Sequence, residues 1–451
     1  MIDWAHKEDF EKDSLHKEFV FTQYDYYHPE QPPTITITNA ELVSESVELT
    51  QSLCTEDSIR FNALENSMLK FSVRNTLPNL TGMVFHADIK LESFIPGIYN
   101  TFRLGDFRVA SDKASSNLET RDIVAYDLLY KFMTHTYKGW YNRLFEGGAT
   151  VTLKDLRDAF FAFYVGNHPW ISQESTTLIN DDIVIKKSKK ISKPTAREIL
   201  STICELNGVV GHLDRDNVFR YISVEDSSEE QEMDDSLTIS AQSEDYNVAQ
   251  IDRVEILSPS GDVLGWYGEE EDDAENTYTI ENNFILKGLG DEASAQAAAY
   301  TMASRIYEKI HLFSFVPFDA EFKGNPCYEV GDRISFSIKT KIVHSIIMSR
   351  VMTGIQSLHD TYSAYGKETY SGDANVLSNM IKNISQQIGQ ESSSKNVMVE
   401  PLYTSGVPIA KITIDGVETI LYAPEGGGGG GTGYRLSAHN SLQFLDYTEV
   451  T

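Results

Sequence analysis

The chain has 451 residues, with 38 Lys and Arg set against 67 Asp and Glu, for a formal charge of −29. That balance argues against a nucleic-acid binder held by phosphate contacts, which needs a basic face. The 41% apolar and 11% aromatic content excludes a disordered chain and predicts packed cores spread over about three to four domains. Three cysteines, Cys54, Cys204 and Cys327, lie far apart with no CxxC pattern, which gives neither a disulfide framework nor a zinc site and fits assembly in a reducing cytosol. The charged opening MIDWAHKEDFEKD shows no signal peptide. The longest strongly apolar run, residues 159–165, is far too short to span a bilayer.

Beyond an N-terminal arm over 1–35, residues 36–125 read mostly as strand. TITITNAEL and VFHADIKLESF alternate with period two, and turn material stands at 75–82 and at Pro96-Gly97. Gly105-Asp106, between two alternating runs, predicts a further bend in the sheet. From about 121 the period changes: Val124, Leu128 and Phe132 are spaced four apart, which predicts one apolar stripe on a helix. A second helix fits TLKDLRDAFFAFYVG, with Thr152 as its cap and Leu153, Leu156, Phe160 and Phe163 as its buried face. A third starts at Thr195, which forms a capping box with Glu198; it buries Ile199, Ile203 and Leu206 and stops at Asn207-Gly208. VVGHLDRDNVFRYISV then reads as a hairpin turning at 214–217. These elements predict an α/β domain with a helical insertion over 126–249.

Two acidic tracts follow, over 225–245 and 269–275. They read as solvated loops extended by self-repulsion; calcium binding is the alternative, without a DxDxDG loop and twelfth-position Glu to signal it. The run IKKSKK at 185–190 is a short basic counterpart, read as a solvated edge. Strand signals resume at 250–268. Asp291 then caps a helix whose face carries Ala295, Ala299, Met302, Ile306 and Ile310. Alternating runs at 315–322, 333–341 and 344–357 complete a second β-rich domain over 250–370.

Ala374, Leu377, Ile381, Ile384 and Ile388 step by three, four, three and four, the seam of a two-heptad coiled coil in a helix over 371–395. Isoleucine at both core positions favours three or four strands over two. Two heptads are too few to hold an oligomer alone, so the helix is expected to continue an axis set by something larger, the alternative being a solitary helix packed on its own domain. A small β unit over 396–451 leads into six consecutive glycines at 426–431. No lysine stands beside them to complete a phosphate loop, so the run reads as a mobile loop or junction.

No chemistry-bearing motif emerges. There is no HExxH and no GxSxG, and His135, His212, His311, His344 and His359 are scattered. Glycoside hydrolysis needs only two carboxylates a few ångströms apart, and the sequence selects no pair. The expectation is a non-enzyme with no catalytic residue, no cofactor and no metal.

Three stretches together resemble phage tail hub proteins, the group that includes tail-associated lysins and prophage tail endopeptidases. Residues 39–73 resemble that family's opening β-domain. Residues 123–166 resemble the inserted helical segment of its siphophage branch, and 324–366 the strands closing its second β-domain. The match runs in order over 36–368; KITIDGVETILYAPEGGGGGG resembles tail-end segments of such prophage proteins. LGDFRV at 104–109 and VGDRISF at 330–336 also echo one another, each placing Gly-Asp at a bend before a strand. The resemblance implies an α+β, mainly β fold in which barrel-like domains over 36–125 and 250–370 flank the α/β domain. It further implies a homotrimeric baseplate hub at the virion tail tip, assembled in the host cytoplasm. Such a hub contacts the tail tube, distal tail and tape measure proteins, and it opens for DNA that passes its lumen without specific binding. Acidic lumen walls would keep DNA from adhering. Lysins of this family carry a further catalytic domain, and only about 80 residues follow position 370, so no lysin activity is expected. The alternatives are a tail-borne cell-wall hydrolase, or a receptor-binding protein gripping a host surface glycan through its C-terminal segment.

Overall fold

Seven strands follow the short helix α1 (Lys7–Phe10): β1 (Lys17–Tyr24), β2 (Thr36–Ile37), β3 (Glu48–Ser52), β4 (Met68–Arg74), β5 (Val84–Glu92), β6 (Tyr99–Ala114) and β7 (Thr120–Asp127). Successive side chains on a strand point to opposite faces. Alternate positions therefore enter one core: Leu69, Phe71 and Val73 from β4, Ala87, Ile89 and Leu91 from β5, and Phe19 and Phe21 from β1. This computed structural model describes residues 7–366 except 13–14, 26–31, 55–59, 94, 117, 131–134, 168–170, 188–193, 225–229, 259–260, 282 and 290–291. Further along, it describes the backbone of five strands between 397 and 445.

The expected bend at Gly105-Asp106 is a β-bulge inside one continuous strand. The register with β5 passes from Ala87↔Gly105 to Asp88↔Arg103, which leaves Leu104 as the extra residue. The helix expected from Val124 and Leu128 is corrected. Val124 lies in β7, paired with Lys70 on one side and Ser111 on the other. A period of two through Arg121, Ile123, Ala125 and Asp127, all buried, outcompetes the period of four, because β4 and β6 together satisfy the backbone of that segment on both edges. Phe132 lies outside the described residues.

Next come α2 (Lys138–Leu144), β8 (Thr150–Thr152), α3 (Leu153–Asn167), β9 (Ser172–Gln173), β10 (Val184–Lys186), α4 (Ala196–Glu205), β11 (Val209–Leu213) and β12 (Val218–Ser223). Thr152 caps α3 as expected: its hydroxyl accepts the Asp155 N–H at 3.0 Å, while Asp155 accepts the Thr152 N–H at 3.3 Å. Leu153, Leu156 and Phe160 are buried beneath it. The capping box of α4 is also formed, with Thr195 N–H donating to Glu198 at 2.8 Å and Glu198 N–H to Thr195 Oγ1 at 3.2 Å. Beyond that helix, β11 and β12 form the expected antiparallel hairpin.

The remaining elements of this unit are β13 (Gln231–Glu232), β14 (Thr238–Ser243), β15 (Arg253–Leu257), β16 (Val263–Gly268), β17 (Thr277–Ile280), α5 (Glu292–Ile310), β18 (Phe318–Lys323), β19 (Arg333–Ile338), β20 (Lys341–Ile346), β21 (Ser349–Thr353) and β22 (His359–Ala364). Helix α5 buries Ala295, Ala299, Met302, Ile306 and Ile310; its expected cap, Asp291, lies outside the described residues.

One sheet of eleven strands runs in the order β14-β18-β22-β21-β3-β4-β7-β6-β5-β1-β2. The β3–β21 pairing, with Thr50 opposite Val351, joins strands from 36–125 to strands from 250–370. The sheet is open, ending on β14 and β2. The strands of these two regions therefore do not close into separate hydrogen-bonded barrels: β3 and β21 spend on each other the edges that closure would need. Cys327, Met352, Ile355 and Leu358 from the second region also enter the core beneath β1–β7. All three cysteines are buried, as small core residues.

The chain divides into two compact units, Met1–Gly372 and Asp373–Thr451. In the second, β23 (Val397–Pro401), β24 (Pro408–Ile414) and β25 (Val417–Tyr422) form an antiparallel sheet, and β26 (Gly433–Leu436) pairs with β27 (Leu442–Leu445).

Candidate functional site

The oligomerisation seam expected at Ala374, Leu377, Ile381, Ile384 and Ile388, and the glycine run at 426–431, lie outside the described residues. What the structure does assemble is a polar junction around the turn between β11 and β12. Asp214 Oδ1 accepts the N–H groups of Asp216 at 2.9 Å and Val218 at 2.8 Å, an Asx-type turn that leaves Asn217 with φ of 60°. Asparagine tolerates that conformation because its short amide bonds locally. Here the amide is also buried, and Nδ2 donates to Asp106 Oδ2 at 2.7 Å.

Asp106 is delivered by the bulge in β6. Its carboxylate also accepts the Tyr24 hydroxyl at 3.0 Å and His86 Nδ1 at 2.6 Å, and Arg103 shares the Oδ1 oxygen with His86. The Tyr24 ring stacks on His86 with centroids 4.0 Å apart. Burial pushes the Asp106 carboxyl up, but the His86 hydrogen bond and the Arg103 charge outweigh it, so the group titrates below its ordinary range. The Gly105 backbone is held close here: a Cβ on it would stand 3.1 Å from the Phe107 ring.

Arg215, on the same turn, bonds the loop before β19. Its Nε pairs with Glu329 and its Nη2 donates to the Pro326 carbonyl at 2.8 Å. Asp332 accepts the Glu329 N–H at 2.8 Å. Burial raises both acids, yet the two end on opposite sides of normal. The Arg215 charge carries Glu329 below its ordinary value, while Asp332, beside that carboxylate, is pushed up to about 6. Gly331, with φ of +95°, lets the chain pass so near β12 that a Cβ would meet Ile222 Cγ2 at 2.9 Å. The two Gly-Asp bends that echo in the sequence thus both contact one hairpin.

Behind the Glu329 loop, Arg350 of β21 and Asp360 of β22 form a fully buried bidentate pair, at 2.9 and 3.0 Å. The remaining acceptor capacity of Asp360 takes the Tyr362 hydroxyl at 3.0 Å and the Asn325 N–H at 2.7 Å. Arg350 Nη2 in turn donates to the Asn325 carbonyl at 3.2 Å. A second buried pair, Arg157 with Asp181 at 2.9 and 2.7 Å, ties α3 to the loop before β10.

Asp106, Asp181 and Asp360 spend both carboxylate oxygens on protein donors, which fixes geometry. Among the described residues, no group of three or more His, Cys, Asp or Glu is placed to hold a metal ion. The sequence singled out the turn at 214–217 and the two Gly-Asp bends. It offered no signal for Arg350, Asp360, Arg157 or Asp181, whose partners come together only through sheet and helix packing.

No protein-family profile and no curated protein matches this chain. Solved structures similar to it include the prophage MuSo2 43 kDa tail protein from Shewanella oneidensis, at 12% identity and a TM-score of 0.46. That likeness covers 77% of this chain and 97% of the other. A tail protein from Neisseria meningitidis MC58 is similar at 10% identity and a TM-score of 0.47, again over 77% and 97%. Prophage tail protein gp18 from Listeria monocytogenes EGD-e is similar at 10% identity and a TM-score of 0.43, over 83% of this chain and 99% of that one.

Proposed function

We propose that this protein is a structural component of a phage tail: a homotrimeric hub at the tip that closes the tail tube and adapts its sixfold symmetry to threefold components. In this reading it anchors distal tail proteins, meets the tube and tape measure proteins, and opens for DNA ejection. The observation that carries the reading is the position of the stretches that resemble tail hub proteins. Residues 39–73 supply β3 and β4, residues 324–366 supply β21 and β22, and the pairing of Thr50 with Val351 makes them neighbours in one sheet. Both β regions therefore build a single wall, and the polar junction fastens the α/β hairpin to it. A rigid wall of this kind suits a ring subunit, whose working surfaces are its interfaces.

Native mass spectrometry of the purified chain tests the assembly. A species of three times 50.7 kDa is expected, and a monomer at every concentration up to the solubility limit would overturn the trimer. Zymography on host cell walls tests the non-enzymatic role; a cleared zone at the position of this chain would favour a hydrolase.

A further inference from the structure

The edge where β16 meets α5 carries a row of rings that no part of the hub reading uses. Tyr267 of β16 lies between Tyr300 and Tyr307 of α5, with centroids 5.9 and 5.4 Å away, and His311 stacks on Tyr307 at 4.7 Å. Tyr300 is 54% exposed. Among the described residues, none of the three tyrosine hydroxyls hydrogen-bonds to the protein. The chain runs directly from this row into the acidic tract: after Tyr267 and Gly268 come Glu269, Glu270, Glu271, Asp272, Asp273 and, beyond Ala274, Glu275.

That tract is not the extended loop its composition predicts. The N–H groups of Asp273 and Ala274 both donate to the Glu270 carbonyl, at 3.0 and 2.9 Å. Asp252 Oδ2 accepts the N–H of Glu275 at 3.2 Å and that of Asn276 at 3.1 Å. Exposed carboxylates are thereby held together in a folded turn against their mutual repulsion, which a cation of matching extent would relieve. Burial, and then the charges of Glu269, Asp252 and Glu308, raise the Tyr307 phenol. The same sheet already holds one cation over a ring, Arg253 on Trp266 at 4.0 Å.

We infer that this face docks a polypeptide segment carrying several Lys or Arg side chains, with the acidic turn pairing its charges and the exposed Tyr300 ring taking one cation on its face. Charge complementarity selects this occupant. An anionic partner is repelled, and a neutral sugar carries no charge for the acidic turn to pair. The inference stands apart from the trimer, since it concerns one edge of one subunit.

The test is fluorescence anisotropy of a labelled octa-arginine peptide against the full-length chain. Binding is expected to weaken by about tenfold or more between low salt and roughly 0.5 M salt, as screening shortens the reach of surface charge. The variant Glu270→Gln/Glu271→Gln/Asp272→Asn/Asp273→Asn should lose about tenfold in affinity. A control removing as many exposed charges elsewhere, Glu232→Gln/Asp235→Asn/Glu244→Gln/Asp245→Asn, should change it by less than about twofold. Tyr300→Ala, which removes no charge, should cost about two- to fivefold. Equal losses in the two quadruple variants, no loss with Tyr300→Ala, or displacement of the peptide by a neutral oligosaccharide would each overturn the proposal.

Discussion

Asn217 and Asp106 are 111 positions apart in the chain, and their side chains meet at 2.7 Å in a buried hydrogen bond. That bond fastens a hairpin of the α/β region to the bulged strand of the large sheet. Removing the donor takes a charge-assisted bond from a buried carboxylate and, among the described residues, leaves that oxygen with the Tyr24 hydroxyl alone. Asn217→Ala is therefore expected to lower stability by about 1–3 kcal/mol, while Asn217→Gly keeps the left-handed turn and should fall at the low end. Urea unfolding midpoints of the two variants separate the turn from the hydrogen bond; equal midpoints would assign the whole effect to the lost bond.

Arg350 and Asp360 make a sharper case, since neither side chain reaches solvent. Arg350→Met leaves Asp360 buried without its cation and is expected to cost about 3–5 kcal/mol. The double variant Arg350→Met/Asp360→Leu removes both charges and should recover part of that loss. Thermal unfolding of the two measures it, and a double variant less stable than the single would contradict this account.

Asp127 should tune stability with pH. It is fully buried at the end of β7 and accepts Asn66 Nδ2 at 2.8 Å and the Ser67 N–H at 2.6 Å, and burial still pushes it up to about 6. Its unfolded value is about 3.9. Between those two values the folded state binds the extra proton, so this group's contribution favours folding at low pH and is lost as pH rises through 6. Asp332, also near 6, acts with the same sign, whereas Asp106 and Glu329 act oppositely at lower pH. Asp127→Asn should flatten the stability profile between about pH 4 and 6, and an unchanged profile would count against the shift.

The β3–β21 pairing predicts that the regions 36–125 and 250–370 unfold together. Val351→Pro removes a ladder hydrogen bond in mid-sheet and should cost about 3 kcal/mol or more. The fragment 1–249 lacks both β21 and the core residues Met352 and Leu358, and is expected to show no cooperative unfolding. Hydrogen exchange on the whole chain should give the amides of Thr50 and Val351 closely similar protection, and widely different values would mean two separate units.

Local signals in this sequence match the structure where local physics decides. Thr152 and Thr195 cap helices because a hydroxyl three residues before an acid satisfies free N–H groups wherever it occurs. The turn at 214–217 and the buried stripe of α5 follow from the same short-range chemistry. At Val124 two periods overlap, and only the presence of β4 and β6 on either side chooses between them. The pairing of β3 with β21 leaves no mark in the sequence either, since nothing in Thr50 or Val351 names its partner across the chain. The sequence by itself settled the charge, the caps, the turns and which faces are apolar. Only the tertiary structure decided which strands share an edge and which buried charges meet, because Thr50 and Val351 lie far apart in the chain and even Arg350 and Asp360 meet only through the pairing of β21 with β22.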